Sequence, residues 1–199
     1  DWQADNVLWT LAPPAPTPPP PPPPPSSGRV EVVSTSGVAG MTTVRLTITL
    51  SATQSNVYAM FGTGDTPMFF PPAYQVSPPF GADVGGINPA FFAFANNDQT
   101  GYAEFDSWLT IGVTDGSAAG SIAASPGFDI GSQWTADTPL SQTDGAIFFM
   151  EPGTAPGGTD PIVMAQLTLS AADAASGTAT AGVQGWGVSQ GTANDGWQM

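Results

Sequence analysis

Carboxylates supply most of the chemistry available to this chain, which has 16 Asp and Glu among 199 residues. A glycosidase needs only two carboxyl groups, one as the acid and one as the base or nucleophile. The sequence offers Glu31, Glu104, Asp106 and Glu151 for those roles. Nothing in their spacing pairs any two of them, so solvated surface or turn carboxylates are the competing interpretation.

Oxygen ligands of this kind also suit calcium. Glu104 and Asp106 lie two residues apart on a predicted strand, so we expect them to project from the same face. Four loop carboxylates could approach that pair: Asp65, Asp83, Asp98 and Asp115. Neither an EF-hand nor an Asp-rich nonapeptide occurs in the sequence. We therefore expect no cofactor, with calcium as the alternative.

Other catalytic groups are missing from the sequence. The chain has no His, Lys or Cys, which removes the usual general base and the commonest covalent nucleophiles. Zinc and copper sites normally draw on His or Cys, and no glycine-rich phosphate loop is followed by Lys. These gaps predict a protein that is not an enzyme.

The charge balance limits the partners. The formal net charge is -14, and the only cationic side chains are Arg29 and Arg45. Such a chain repels phosphate backbones, so we expect no nucleic-acid partner. No apolar run approaches the roughly 20 residues that cross a bilayer, and we expect no membrane span.

Strand patterns occupy most of the chain after residue 28. In the segment from Thr42 to Ala52, Val44, Leu46, Ile48 and Leu50 alternate with polar residues, as in a half-buried antiparallel strand. Further predicted strands begin at Arg29 and cover 56–61, 91–95, 104–113, 146–150, 162–169 and 178–184. The one Ala-rich stretch, 170–175, allows little more than one helical turn.

Gly- and Pro-rich turns separate these strands. Seven or more short strands with such connections predict an all-β domain over residues 29–199, an antiparallel β-sandwich of jelly-roll type. The aromatic-rich segment from Pro67 to Asn97 is predicted to be an irregular ordered loop. Its rings either cap one end of the sandwich or form a platform that stacks on sugars.

A proline run precedes the domain. Residues 13–25 contain 11 of the 22 prolines, and with a Ser/Gly joint they form a predicted polyproline II rod over residues 13–28. At 3.1 Å per residue the run spans roughly 40 Å, about the diameter of a body of this size. The N-terminal extended peptide, residues 1–12, is therefore held about one domain away unless the rod lies flat on the body.

The peptide carries a short apolar strand. Val7, Trp9 and Leu11 alternate onto one face, and Leu8 lies between them. A lone strand needs a partner for its backbone and its apolar face, and we expect these four residues to add to a sheet edge of a neighbouring copy. Head-to-tail donation of this kind propagates as a fibre. The alternative is that the strand folds back onto its own domain.

The rod also invites covalent modification. Secreted proteins of algae and plants often hydroxylate and glycosylate such prolines, and the chain has no Asn-x-Ser/Thr sequon, so covalent glycans are expected to be O-linked. The candidate positions are Thr17, Pro18, Pro19, Pro20, Pro21, Pro22, Pro23, Pro24, Pro25, Ser26 and Ser27.

Two stretches give the sequence a distinctive character: PPFGADVGGINPAFF over residues 78–92 and EFDSWLTIGVTDG over residues 104–116. With the rod, they make the chain resemble secreted extracellular-matrix and glycosylated helical fibril proteins of algae, other protists and freshwater microorganisms. The resemblance covers roughly Asn56 to Met150 and implies an extracellular, noncatalytic β-module. Modules of the pherophorin type differ in being rich in Cys.

We therefore expect a structural subunit of an extracellular helical fibre, whose partner is a second copy of itself. An initial Asp instead of Met fits the removal of a signal peptide. The alternative function is a carbohydrate-binding or adhesive cell-surface module that uses the aromatics of residues 69–94.

Overall fold

The computed structural model describes residues 27–99, 101–188 and 196–198. The N-terminal peptide, residues 1–12, lies outside these ranges. Of the predicted rod and joint, only Ser27 and Gly28 lie within them.

Short antiparallel strands make up most of the regular structure in these ranges. They are β1 (Ser27–Ser34), β2 (Met41–Thr49), β3 (Ala59–Gly62), β4 (Met68–Phe70), β5 (Asn96–Asn97), β6 (Gly101–Tyr102), β7 (Trp108–Leu109), β8 (Ile122–Ala124), β9 (Leu140–Gln142), β10 (Gly145–Phe149), β11 (Ile162–Ser170), β12 (Gly182–Trp186) and β13 (Gly196–Gln198). The predicted all-β class is confirmed.

A four-stranded sheet has the order β1-β2-β11-β7. Its centre is the antiparallel pairing of β2 with β11, which extends from Ile162↔Ile48 to Ser170↔Met41. Both strands are nine residues long, and six residues of β2 are β-branched, a type that suits a pleated surface. β1 lies at one edge, in register with β2 from Ser27↔Thr49 onward.

A five-stranded sheet has the order β13-β12-β3-β10-β8. Two smaller pairs accompany it, β4 with β9 and β5 with β6. The β4 pair adjoins the segment before β12, because Phe69 forms an isolated bridge with Thr180. This bridge connects the β4–β9 pair to the segment that leads into β12 of the five-stranded sheet.

Helical structure is brief. Apart from four 3-10 segments (Pro89–Phe91, Ala103–Phe105, Gly116–Ser121 and Pro152–Thr154), the described ranges contain α1 (Ile130–Gln133) and α2 (Ala171–Ser176). Ser170 caps α2, since its hydroxyl accepts from the Asp173 N–H at 3.1 Å and donates to the Asp173 carboxylate at 2.6 Å. No helix within those ranges is long and apolar enough to cross a membrane.

One apolar cluster combines side chains from both large sheets. β2 and β11 contribute Val44, Ile48, Met164 and Leu167, while β3, β10 and β12 contribute Met60, Ile147 and Val183. Trp134, which follows α1, is 1% exposed and donates its indole N–H to the Pro71 carbonyl at 2.8 Å. The polar end of this large ring is therefore satisfied inside the core.

The opposite face of the four-stranded sheet is also covered, and its contacts are polar. Thr168 donates to the Phe105 carbonyl at 2.6 Å, so the Thr43 hydroxyl supplies the proton for the 2.7 Å bond between the two threonines. Gln166 donates to the carbonyls of Glu104 and Asp106, both at 3.0 Å. These bonds attach the segment 104–107 to β11.

Two predicted strands are wrong. Residues 91–95 instead follow a 3-10 turn, because Pro89 starts that turn and Asn88 caps it by accepting from the Ala90 N–H at 2.9 Å. Within 104–113, only Trp108–Leu109 is strand. The backbone before it turns so that its carbonyls meet the side chains of Gln166 and Thr168.

Thr168→Val tests the polar face of the sheet. The change keeps the shape of the side chain but leaves the Phe105 carbonyl and the Thr43 hydroxyl without a buried partner. We expect the free energy of unfolding to fall by about 1–3 kcal/mol. Urea denaturation measures it, with the exposed Thr66→Val as control, and an equal effect of both changes would contradict the assignment.

Candidate functional site

Most of the predicted interface and modification residues lie outside the described ranges. This applies to Val7, Leu8, Trp9, Leu11, Thr17, Ser26 and the prolines from 18 to 25. Ser27 is described, and it is the exposed first residue of β1.

β1 is an edge strand that is exposed over seven of its eight residues. Edge strands present unpaired backbone groups to any extended segment, and natural proteins usually shorten or cover them. β1 is instead long for an edge strand, with a single irregularity between Val32 and Ser34. Among the described residues, its outer edge is the longest strand edge of the four-stranded sheet without a pairing partner.

The side chains of β1 show which face is uncovered. Residues directly opposite each other in an antiparallel pair project from the same face. Val30 is opposite Leu46 and Val32 is opposite Val44, and both β2 partners belong to the core side. Yet Val30 and Val32 are each 66% exposed. The core side of β1 is therefore open to solvent.

An apolar groove of about 280 Å³ lies beside these valines. Its lining includes Val44 and Leu46 of β2, Leu167 and Leu169 of β11, Val30 of β1, and Ala179 from the segment after α2. The β2 and β11 side chains come from the sheet itself. The groove is thus a part of the core layer that the described chain does not fill.

A second depression of about 160 Å³ shares Gly28, Leu46 and Ala179 with the first and continues toward Met60 and Val183. Gly28 stands opposite Ile48, on the core side of β1. A Cβ added at Gly28 would have a single neighbour within 4 Å, the Thr47 carbonyl oxygen at 3.9 Å. The space at this end of β1 can therefore accept a side chain from another segment.

The charged residues that line the groove are Arg29 and Asp173. Asp173 is held by the Ser170 hydroxyl in the cap of α2. Arg29 is exposed and is one of only two cationic residues in a chain of net charge -14. The groove therefore carries one charge of each sign, and the positive one lies near the start of β1.

Asp106, a candidate for acid-base or calcium chemistry, is instead a buried structural acceptor. It has 0% exposure, and its carboxylate accepts from the N–H groups of Val76 at 2.7 Å, Ala82 at 2.9 Å and Ser107 at 3.0 Å. The side chain thus fastens the loop between Val76 and Ala82 to the body.

The environment of Asp106 changes its acidity. Burial, with a smaller contribution from the charge of Asp83, raises the pKa of Asp106 to about 7 against the lowering effect of the three N–H donors. The pKa of Asp83 is also raised, first by burial and then by the charge of Asp129. Both shifts come first from burial, and a neighbouring carboxylate adds to each.

The other candidate carboxylates take separate positions. Glu104 is exposed in the 3-10 turn Ala103–Phe105 and accepts from the Asn96 amide at 3.2 Å, so it does not share a face with Asp106 as predicted. Glu31 lies on β1, and Glu151 precedes the 3-10 turn Pro152–Thr154. Within the described ranges, no three carboxylates form a group that could hold a metal ion.

The aromatic segment contains a compact cluster. Phe80, Phe91 and Phe94 meet edge to face, with ring centroids 5.7 to 6.0 Å apart. Phe70 and Trp134 pack separately in the core, 5.9 Å apart. Phe94 is 54% exposed, so one ring of the cluster is accessible to a ligand. The mutual contacts show that these rings hold the segment together.

No protein-family model, curated protein or solved structure matches this chain.

Reading the sequence alone missed the groove and the exposed core side of β1. The alternation of Gly28, Val30 and Val32 was the available signal, but it cannot show whether another layer covers those side chains. The buried role of Asp106 had no sequence signal, because its partners are backbone groups 24 and 30 residues away.

Asp106→Asn tests the buried carboxylate. Because the folded pKa of about 7 lies above the ordinary value near 3.9, the folded state holds more protons than the unfolded state between those values. Stability from this group is complete at low pH and is lost as the pH rises toward 7. Asn removes the titration and places an amide donor against a backbone N–H, so we expect lower stability with a weaker pH dependence.

Urea denaturation at several pH values from 5 to 8 measures this. At pH 5 we expect the free energy of unfolding of the variant to be about 1–3 kcal/mol below that of the parent protein. Between pH 5 and 8 we expect the free energy of unfolding to fall less in the variant than in the parent. Asp83 retains part of the slope because its pKa is raised as well. The exposed Thr66→Val, which changes no titratable group, should keep the parent slope, and an unchanged slope in Asp106→Asn would contradict the assignment.

Proposed function

We propose that this protein is a structural subunit of an extracellular helical fibre, assembled head to tail by donation of the N-terminal strand, residues 7–11, to a neighbouring subunit. The observation that carries the proposal is the open core side of β1, where Val30 and Val32 are 66% exposed beside an apolar groove. An added strand would cover those valines and bond to the unpaired edge of β1.

The proposal extends to the finer fold. We take the two large sheets to be layers of a β-sandwich, which the shared apolar cluster supports. In that arrangement the edge at β1 is where one layer extends beyond the other. A donated strand would close the sandwich there, and the proposed incompleteness of each subunit is the driving force for assembly.

The predicted rod favours donation between copies over insertion within one copy. β1 begins at Ser27, two residues after the last proline of the run. A straight rod of roughly 40 Å is longer than β1, which spans about 26 Å for eight residues. A rod that stays straight would therefore hold Val7 to Leu11 beyond the reach of the groove from which its own chain departs.

Identical subunits joined in this way use two different surfaces, the strand on one copy and the groove on the next. Such a heterologous contact generates an open filament unless its rotation closes a ring. We also propose O-linked glycans on the rod, since hydroxylated and glycosylated prolines stiffen and solvate it. We propose further that the protein is extracellular and has no enzymatic activity.

Deletion of residues 1–12 tests the fibre. We expect a folded body that remains monomeric, because the groove is retained and the donor strand is lost. Negative-stain microscopy and light scattering measure assembly, and far-UV circular dichroism checks the fold. Fibres formed by the shortened chain would remove the proposal.

Two point variants refine the same test. Trp9→Ala removes the largest side chain from the predicted inward face of the donor strand, and an aromatic anchor of this type contributes about 2 kcal/mol or more. We expect the critical concentration for assembly to rise on the order of 30-fold. Thr10→Ala, on the other face of the same strand, is the matched control and should assemble as the parent does.

A carbohydrate-binding or adhesive module is the second candidate, favoured by the exposed Phe94 ring within its aromatic cluster. If sugars stack there, Phe94→Ala should lower binding on a glycan array at least tenfold. Met150→Ala, which also truncates a side chain about half exposed, is the control. Equal signals from both variants would remove this function.

A further inference from the structure

We infer that the acceptor site is the groove beside β1, and that the donor strand of a second copy lies along the free edge of β1, parallel to it, with Trp9 against Val30. This inference rests on the proposed function and adds the acceptor edge, the direction and the register.

The alternation of side chains fixes which residues meet. Gly28, Val30 and Val32 lie on the core side of β1 at every second position. Val7, Trp9 and Leu11 have the same spacing in the donor sequence. Three inward side chains therefore align with three inward positions, and the central donor residue, Trp9, is placed beside Val30.

The shape of the groove suits a large central side chain. Its two depressions meet at Gly28, Leu46 and Ala179, next to Val30, and together they lie under the core side of β1. Gly28 adds no side chain to this region. An indole at the centre would cover Leu46 and the exposed part of Val30, which are otherwise in contact with solvent.

Charge favours the parallel direction. The donor segment carries Asp1 and Asp5 before its apolar residues, and β1 carries Arg29 near its start and Glu31 farther along. A parallel strand brings the acidic end toward Arg29. An antiparallel strand would bring it toward the end that follows Glu31, where like charges repel.

The position of the rods favours the same direction. The acceptor's own proline run reaches β1 at Ser27. In the parallel arrangement the donor's rod lies at the other end of β1, near Ser34. Each body then has its own rod at one end of β1 and its neighbour's rod at the other. An antiparallel donor would bring both rods to the same end of β1.

Disulfide cross-linking of the full chain tests direction and register, and it is clean because the chain has no cysteine. In the parallel register, position 6 lies beside position 27, about 20 Å from position 33 at the other end of β1. We compare Asn6→Cys/Ser27→Cys with Asn6→Cys/Val33→Cys. Asn6 leaves the four apolar donor residues and Arg29 unchanged.

We expect oxidised assemblies of the first variant to give a ladder of covalent oligomers on a denaturing gel, and the second variant to give at least tenfold less. The reverse result would overturn the direction. Fibres by microscopy with no ladder from either variant would overturn the acceptor site while the proposed function stands. A cross-link within single chains, or no fibres at all, would overturn the proposed function itself.

A groove-filling pair tests the site without cysteines. Gly28→Leu adds a side chain that the fold has room for but that occupies the acceptor space. We expect it to raise the critical concentration for fibre formation at least tenfold with unchanged circular dichroism. Thr66→Leu adds the same residue at an exposed position outside the groove and should assemble normally. Equal assembly by both variants would overturn the inference.

Discussion

The pairing of β2 with β11 is the interaction on which the rest of this structure depends. Eight residue pairs join the two strands, and both faces of the ladder are covered. On one face, pairs such as Leu167 with Val44 enter the apolar core. On the other, Thr168 with Thr43 bond to each other and to the backbone that crosses above them.

The two faces perform different tasks. The apolar face unites the two large sheets through one continuous cluster. The polar face holds an irregular segment. The side chains of Gln166 and Thr168 donate to the carbonyls of residues 104–106, which a neighbouring strand would otherwise satisfy. Buried polar groups of this type need complete hydrogen bonding, and this requirement fixes the path of the segment.

The sequence was sufficient for the long strands and insufficient for the irregular segments. The alternation in β2 and the apolar run in β11 follow from periodicity, since each has a core face that the pattern shows directly. Residues 104–113 have strand composition as well, but their conformation depends on bonds to residues about 60 positions away. Local propensity cannot represent such contacts.

The candidate site divides in the same way. The valines of β1 predict a strand there, and the alternation of Val7, Trp9 and Leu11 before the proline run predicts a donor peptide. That the core side of β1 is uncovered depends on where the other sheet ends, and this is a property of the whole fold. Asp106 is a residue type that often serves in catalysis, but here it is fully buried and accepts from backbone N–H groups. Its carboxylate is therefore not accessible to a substrate.

The continuity of β1 with the segment before it has a mechanical consequence. A pull on Ser27 directed along β1 would load the seven cross-strand pairs with β2 together, in shear. At the far end of the chain, β13 is joined to β12 by three pairs and would yield to a much smaller force. Attachment through β1 would therefore resist such a pull better than attachment through β13.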